Sequence, residues 1–217
     1  MSIVVVSTFA PRYTQWPGCD YDQLLGILQD SCDRIGVRHV CISDTYRPHC
    51  DTFVCDLPRE LMPLLIDAQL QFMRQCDEPI LFTGADCILT RDPRGVLREG
   101  IDLAITCDKN RRRLNTGAMF VADGPKCAPV WQAALDMNPR EWGQDQTCLL
   151  AAIQASTLNV DYLSKREYNR PPLDPGEEGR EAMIVHFKGD RKAAMGPWYD
   201  RFCGKSGAMA LDVKCAA

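Results

Sequence analysis

Pro79-Ile80-Leu81-Phe82-Thr83-Gly84-Ala85-Asp86 is the stretch whose reading decides the fold. A proline followed by an unbroken apolar and β-branched run, with no polar alternation, is the pattern of a strand buried on both faces. Such strands belong to parallel sheets covered by helices. Gly84 and Ala85 end the run, and a carboxylate follows at once. In an open α/β sheet the carboxyl ends of the strands face the ligand crevice, so Asp86 stands on the side where ligands bind. An aspartate after a strand also forms turns with its own backbone, so Asp86 acquires meaning only with a partner.

The partner segment lies a hundred residues on. Met183 to His186 reads as a strand, and it runs into His186-Phe187-Lys188-Gly189-Asp190-Arg191-Lys192. This block supplies an imidazole, a glycine three residues later and a lysine six residues later. Glycine lets backbone N–H groups approach an anion without a Cβ in the way, and an ammonium can sit on a phosphate oxygen. A carboxylate and an imidazole together suit a divalent cation. The two segments therefore read as a divided site for a metal, at Asp86 and His186, and a diphosphate, at Gly189 and Lys192.

Outward from these blocks the chain alternates strand and helix. Ile3 to Thr8 is a first central strand that breaks at Ala10-Pro11-Arg12, and Val37 to Ser43 is the second. Between them Tyr21 to Ile35 carries Leu24, Leu25, Leu28, Cys32 and Ile35 at helical spacing, closed by Gly36. Pro58 opens a helix through Met73. Ile101 to Thr106 and Ala118 to Ala122 read as further strands, and Val130 to Met137 and Gln144 to Ala155 as further helices. Pro171 to Gly179 is a loop, and the tail from Gly204 looks peripheral. The expected class is α/β, with residues 1–217 forming one domain.

Composition bounds the function. The 217 residues are 46% hydrophobic and 25% charged, which excludes a disordered or collagen-like chain. No apolar run reaches the roughly 18 to 20 residues a spanning helix needs. A net charge of −4 argues against a surface that holds nucleic acid through many phosphates. Arg111-Arg112-Arg113 is the densest basic cluster, either a solvated turn or a local anion patch. The 12 cysteines contain no Cys-x-x-Cys, the closest pair being Cys50 and Cys55, and several lie in apolar runs. Reduced, packed thiols are the expectation. With a start, Met1-Ser2-Ile3-Val4, that lacks a basic n-region, this implies a cytoplasmic location.

Four blocks together resemble the nucleotide-sugar glycosyltransferases of the GT-A fold, most nearly glycosyltransferase family 8. They are Ile80 to Asp86 for an Asp-x-Asp motif, Leu114 to Phe120 for an Asn-x-Gly strand, Trp142 to Gln146 for an Asp-Gln helix start, and His186 to Lys192. The resemblance implies a mixed, mostly parallel central sheet flanked by helices, and transfer of a sugar from a nucleotide diphosphate sugar, most readily a UDP-sugar, with retention. It implies Mn²⁺ or Mg²⁺ on Asp86 and His186, and the diphosphate on Gly189 and Lys192. It implies sugar contacts from Asn115, Thr116 and Gly117, with Gly84 and Ala85 beside the donor. Asp145 and Gln146 would face sugar and acceptor and, with Lys192, take part in catalysis. Ser7 and Thr8 would meet base or ribose, and Tyr13 would stack. Tyr168-Asn169 resembles a late Tyr-Asn pair of the family, and equally an ordinary strand-to-loop transition.

One departure stands out: Gly84 occupies the first acidic position of Asp-x-Asp, which weakens the expected metal site. It leaves room for a decayed protein that binds sugar nucleotide or nucleic acid without turnover. A nucleotidyltransferase is the other alternative, although Ser7-Thr8-Phe9-Ala10-Pro11-Arg12 contains no glycine. The acceptor is open, because acceptor pockets are built from variable loops. Arg111 to Arg113 lean toward an anionic one, modified DNA included.

Overall fold

The computed structural model describes residues 2–10, 19–58, 60–108, 113–141, 143–172, 179 and 181–203. The continuous apolar runs lie side by side. β1 (Val4–Thr8) is flanked in parallel by β2 (Arg38–Ser43) and β4 (Ile80–Thr83), with β3 (Asp51–Val54) parallel outside β2. Beyond β4, β7 (Leu114–Val121) runs antiparallel between β4 and β6 (Leu103–Cys107), and β8 (Val160–Ser164) lies parallel to β6 at the far edge. The seven-stranded order is β3-β2-β1-β4-β7-β6-β8, a mixed and mostly parallel sheet.

Side chains of the central strands alternate between two buried faces, as the pleat requires. Val4, Val6, Ile80, Phe82, Met119 and Val121 point into one core, which is completed by α2 (Leu61–Met73), α3 (Gly124–Asp136) and α4 (Gln144–Ala155). Val5, Leu81, Ala118 and Phe120 point into the other, beneath α1 (Tyr21–Ile35). Asp20 caps α1 by accepting from the Asp22 and Gln23 amides, and Gly36 ends it at φ 71°, the left-handed cap that glycine adopts without Cβ strain. Among the described residues, no helix is long and apolar enough to cross a membrane.

The connections place the site. The chain leaves β1 for β2 on one side and returns from β3 to β4 on the other, so the crevice at the carboxyl ends of β1 and β4 is a topological switch point. A second, two-stranded sheet pairs β5 (Cys87–Leu89) antiparallel with β9 (Ile184–His186). It packs under α1, where the Ser31 hydroxyl accepts the Leu89 amide at 3.2 Å and the Arg34 guanidinium donates to the Leu89 carbonyl at 3.1 Å. α5 (Lys165–Tyr168) precedes β9, and α6 (Met195–Phe202) follows it to bury Trp198 against Phe187.

The elements differ from the sequence reading in several respects. The helix expected to open at Pro58 begins instead at Leu61, with Glu60 as its N-cap, so Pro58 precedes it. The Val130 to Met137 helix begins at Gly124, because Asp123 caps it and Pro125 fits its first turn, while Pro129 costs one internal bond without ending it. The Ala118 to Ala122 strand begins at Leu114, so Asn115, Thr116 and Gly117 lie within β7. β3, β5 and β8, of four, three and five residues, are not among the strands expected from the sequence. Leu173 to Glu178 of the expected loop and the tail from Gly204 lie outside the described residues.

Between α1 and the sheet lies a buried polar chain. The Ser7 hydroxyl donates to His39 Nε2 at 2.9 Å, and His39 Nδ1–H donates to the Gln29 carbonyl at 3.0 Å. Gln29 is held in that orientation by its own amide nitrogen, 2.7 Å from Asp33. Burial keeps His39 neutral and lowers its pKa to about 4. The unfolded chain therefore binds a proton here at higher pH than the folded one, and stability is lost as pH falls from the ordinary histidine value toward 4. Urea denaturation at pH 7 and pH 5 is expected to show a His39-dependent loss of about 2 kcal/mol, and a His39→Asn variant is expected to lose most of that difference.

Candidate active site

The pairing of β5 with β9 sets Cys87 opposite His186, and the Phe187 amide donates to the Asp86 carbonyl at 2.8 Å. Two residues a hundred positions apart are thereby held side by side. His186 Nε2 lies 3.2 Å from one Asp86 oxygen, and Lys192 Nζ lies 2.6 Å from the other. The side chains of Asp86, His186 and Lys192 are each 12% exposed. Burial disfavours the Asp86 carboxylate, but the His186 imidazolium and the Lys192 ammonium outweigh it and hold the group well below the usual carboxylate range. Burial likewise opposes the His186 imidazolium, and Cys87 and Asp86 beside it reverse the effect and raise its pKa.

The second ring nitrogen is fixed as well. His186 Nδ1 donates to the Asn169 carbonyl oxygen at 2.7 Å, and the Asn169 amide donates to Thr106 Oγ1 at 3.1 Å. Thr106 in turn donates to the Asn115 carbonyl at 2.6 Å. Asn169 is 1% exposed, and it is set beside β9 by the Arg170 amide, which donates to the Ile184 carbonyl. The late Tyr-Asn pair thus contributes its asparagine as the orienter of His186, with Nε2 turned toward Asp86. This is the second-layer contact that histidines at cation sites usually make.

Two glycines are needed by this arrangement. A Cβ on Gly117 would fall 2.4 Å from His186 Nδ1 and 2.8 Å from the Asn169 amide nitrogen, so β7 passes beneath the imidazole only without a side chain. A Cβ on Gly84 would fall 2.3 Å from Asp86 Oδ1. The absent first carboxylate and the inward fold of Asp86 therefore go together. At Gly189 a φ of 59° places the backbone in the left-handed region that favours glycine.

A cavity of about 530 Å³ opens over these groups. Asp86, His186, Gly189 and Lys192 line one end, with Gly84, Ala85 and Thr8 beside them. Asn115, Thr116 and Gly117 line it from β7, and Asp145 and Gln146 from the first turn of α4. Asp145 is 5% exposed, and its burial raises the pKa of its carboxyl, against which amides of that turn work. Ser7 does not reach the cavity: it is fully buried and bonded to His39. Tyr13, Arg111, Arg112 and Trp142 lie outside the described residues, and Arg113 is exposed at the start of β7 and away from the cavity lining.

The sequence reading missed several lining residues. Tyr21 enters from the first turn of α1 and stacks on Phe9 at 5.4 Å. Leu65, Ile66 and Leu149 give the α2 and α4 side an apolar wall. Lys188 lies within the His186 block, and its chemistry was the signal available there.

Asp86, Cys87 and His186 each offer one potential ligand atom, and these atoms lie within 4.8 Å of one another. A carboxylate and an imidazole facing an open cavity fit a divalent cation completed by ligand oxygens and water.

No protein-family model and no curated protein matches the sequence. Solved structures do. A glycosyltransferase involved in glycosylation of the major capsid of PBCV-1 is 14% identical at a TM-score of 0.62, covering 91% of this chain and 99% of that one. An active-site Gln-to-Glu mutant of LgtC is 11% identical at 0.58, covering 93% and 96%. GlyE of Streptococcus pneumoniae TIGR4 is 14% identical at 0.59, covering 93% of this chain and 64% of that one. The chain has the GT-A fold of these glycosyltransferases.

Gly117→Ala is expected to lower stability by about 1–3 kcal/mol through overpacking against His186 and Asn169. Gly95→Ala, where a Cβ meets nothing within 4 Å, should be near neutral. Urea denaturation of the two variants measures the contrast.

Proposed function

We propose that the protein is a glycosyltransferase that takes a sugar from a nucleotide diphosphate sugar, a UDP-sugar by preference, and passes it to an acceptor hydroxyl or amine. The observation that carries this is the convergence of Asp86, His186, Gly189 and Lys192 at one end of a cavity whose other walls are Asn115 to Gly117 and Asp145-Gln146. Breaking an anomeric C–O bond leaves negative charge on the departing diphosphate, and fixed positive charge at that point lowers the barrier most. Lys192 answers that need on this reading, moving from Asp86 to a phosphate oxygen. Gly189 allows the diphosphate close to the backbone. Asp86 and His186 would hold Mn²⁺ or Mg²⁺, which when bound supplies further charge neutralisation at the diphosphate.

Sugar binding falls to Asn115, Thr116 and Gly117, and to Asp145 and Gln146. Burial makes Asp145 a better proton acceptor than an exposed aspartate, which suits a group that takes the acceptor's proton late. Retention of configuration is the expected outcome on this reading, and Asp145 is the first group to test as an alternative base or nucleophile. An anionic acceptor would rest on Arg111 to Arg113, of which Arg113 stands away from the cavity lining, while Leu65, Ile66 and Leu149 offer apolar contact to whatever enters from the α2 side.

Gly84 favours a second reading, a protein that binds the donor without turning it over. Donor hydrolysis separates the two. The wild-type protein is expected to release the nucleoside diphosphate from a UDP-sugar, and Asp86→Ala and His186→Ala are each expected to lose at least about 100-fold of that rate while retaining a cooperative thermal unfolding transition. Undiminished turnover in both variants refutes the assignment. Binding of UDP with no turnover of any UDP-sugar by the wild type favours the second reading.

A further inference from the structure

The cationic end of the cavity carries one lysine for which the described residues offer no counter-ion. Asp86 divides its oxygens between His186 and Lys192. Lys188 lines the same cavity, two residues after His186 and directly before Gly189. Its side chain is partly buried, and among the described residues its ammonium has no ion pair or side-chain hydrogen bond. The titratable groups around it are the Cys87 thiol, Asp86, already paired twice, and the cations Lys165 and Lys192. An unpaired ammonium in a concave wall costs solvation free energy that only an arriving anion returns. The cavity's other carboxylate, Asp145, stands on α4, at the N-terminal turn of a different element.

Resting on the donor reading above, we propose that Lys188 is a second phosphate-binding residue, and that Lys188 and Lys192, on either side of Gly189, grip the diphosphate tightly enough to hold it without a divalent cation. The geometry supports this through chain direction. His186 ends β9, and Gly189 opens a 3₁₀ turn at Gly189–Ala194 with φ 59°, so that Lys188 is the residue before the turn and Lys192 lies within it, both on the cavity wall. Two ammonium groups, Lys188 and Lys192, then line the wall beside one carboxylate, Asp86, which Lys192 already pairs, and an arriving diphosphate supplies the negative charge that Lys188 lacks. A charge-assisted hydrogen bond of this kind changes affinity by about tenfold or more.

The test is calorimetric titration of UDP and of inorganic diphosphate into the wild type, Lys188→Met, Lys188→Arg and Lys165→Met, and of GDP, ADP and CDP into the wild type, each in Mn²⁺ and in EDTA. The wild type is expected to bind UDP in EDTA within about tenfold of its affinity in Mn²⁺. Lys188→Met is expected to lose at least about tenfold in EDTA for both probes and several-fold less in Mn²⁺. Lys188→Arg should restore binding, and Lys165→Met should leave it unchanged. UDP binding by the wild type in Mn²⁺ alone overturns the proposal while leaving the donor reading in place, as does an equal response of Lys188→Met and Lys165→Met. Absence of binding by UDP, GDP, ADP and CDP under both conditions overturns the donor reading and the proposal with it.

Discussion

Asp86 meets His186 only because two strands of three residues each pair in one register, Cys87 against His186. A shift of one residue would turn the imidazole to the opposite face. A sheet this small is not stable by itself, and its register is supplied from outside. α1 holds the Leu89 end through Ser31 and Arg34, and the segment at Arg170 pairs with the other edge of β9. Ile88, Val185 and Phe187 anchor the same pair in a cluster with Trp198 and Met195. The site is therefore a by-product of packing at a distance from it.

The charged groups at that meeting point are nearly out of water, and buried charge is costly unless fully paired. Each partner is accounted for: Asp86 has two cations, and His186 has Asp86 on one nitrogen and Asn169 on the other. Breaking such a set leaves an uncompensated charge, so its members constrain one another more than they stabilise the fold. The glycines impose the complementary limit. Gly117 and Gly84 leave the space that the imidazole and the carboxylate occupy, and the site's shape is set as much by two missing Cβ atoms as by the groups present.

How much of this was legible in the sequence depended on length and burial. β1 and β4 announced themselves as unbroken apolar runs, α1 by its spacing and its closing glycine, and the two halves of the site by residue types that have few other uses together. The same unbroken runs hid side-chain direction: a strand buried on both faces gives no sign that Ser7 turns toward α1 while Thr8 reaches the cavity. β3 and β8 lie at the sheet edges and β5 has three residues, too few for periodicity. Tyr21, Leu65 and Leu149 come from helices whose local pattern reports only the face turned to the core. Tyr168-Asn169 could be read two ways until His186 was seen to bond Asn169.

On the donor reading, Lys192 stands between the cation position and the diphosphate position. Its ammonium pairs with the Asp86 oxygen that does not face His186. On the donor reading it cannot serve Asp86 and a phosphate oxygen equally well, so whatever draws it to the phosphate leaves Asp86 with a vacant acceptor in a poorly hydrated place. That vacancy is filled most favourably by another cation. Occupancy of the diphosphate position and of the cation position then favour each other, and linkage makes the effect reciprocal. A lysine that stands between the two positions, rather than any contact between the ligands, would carry that part of the coupling.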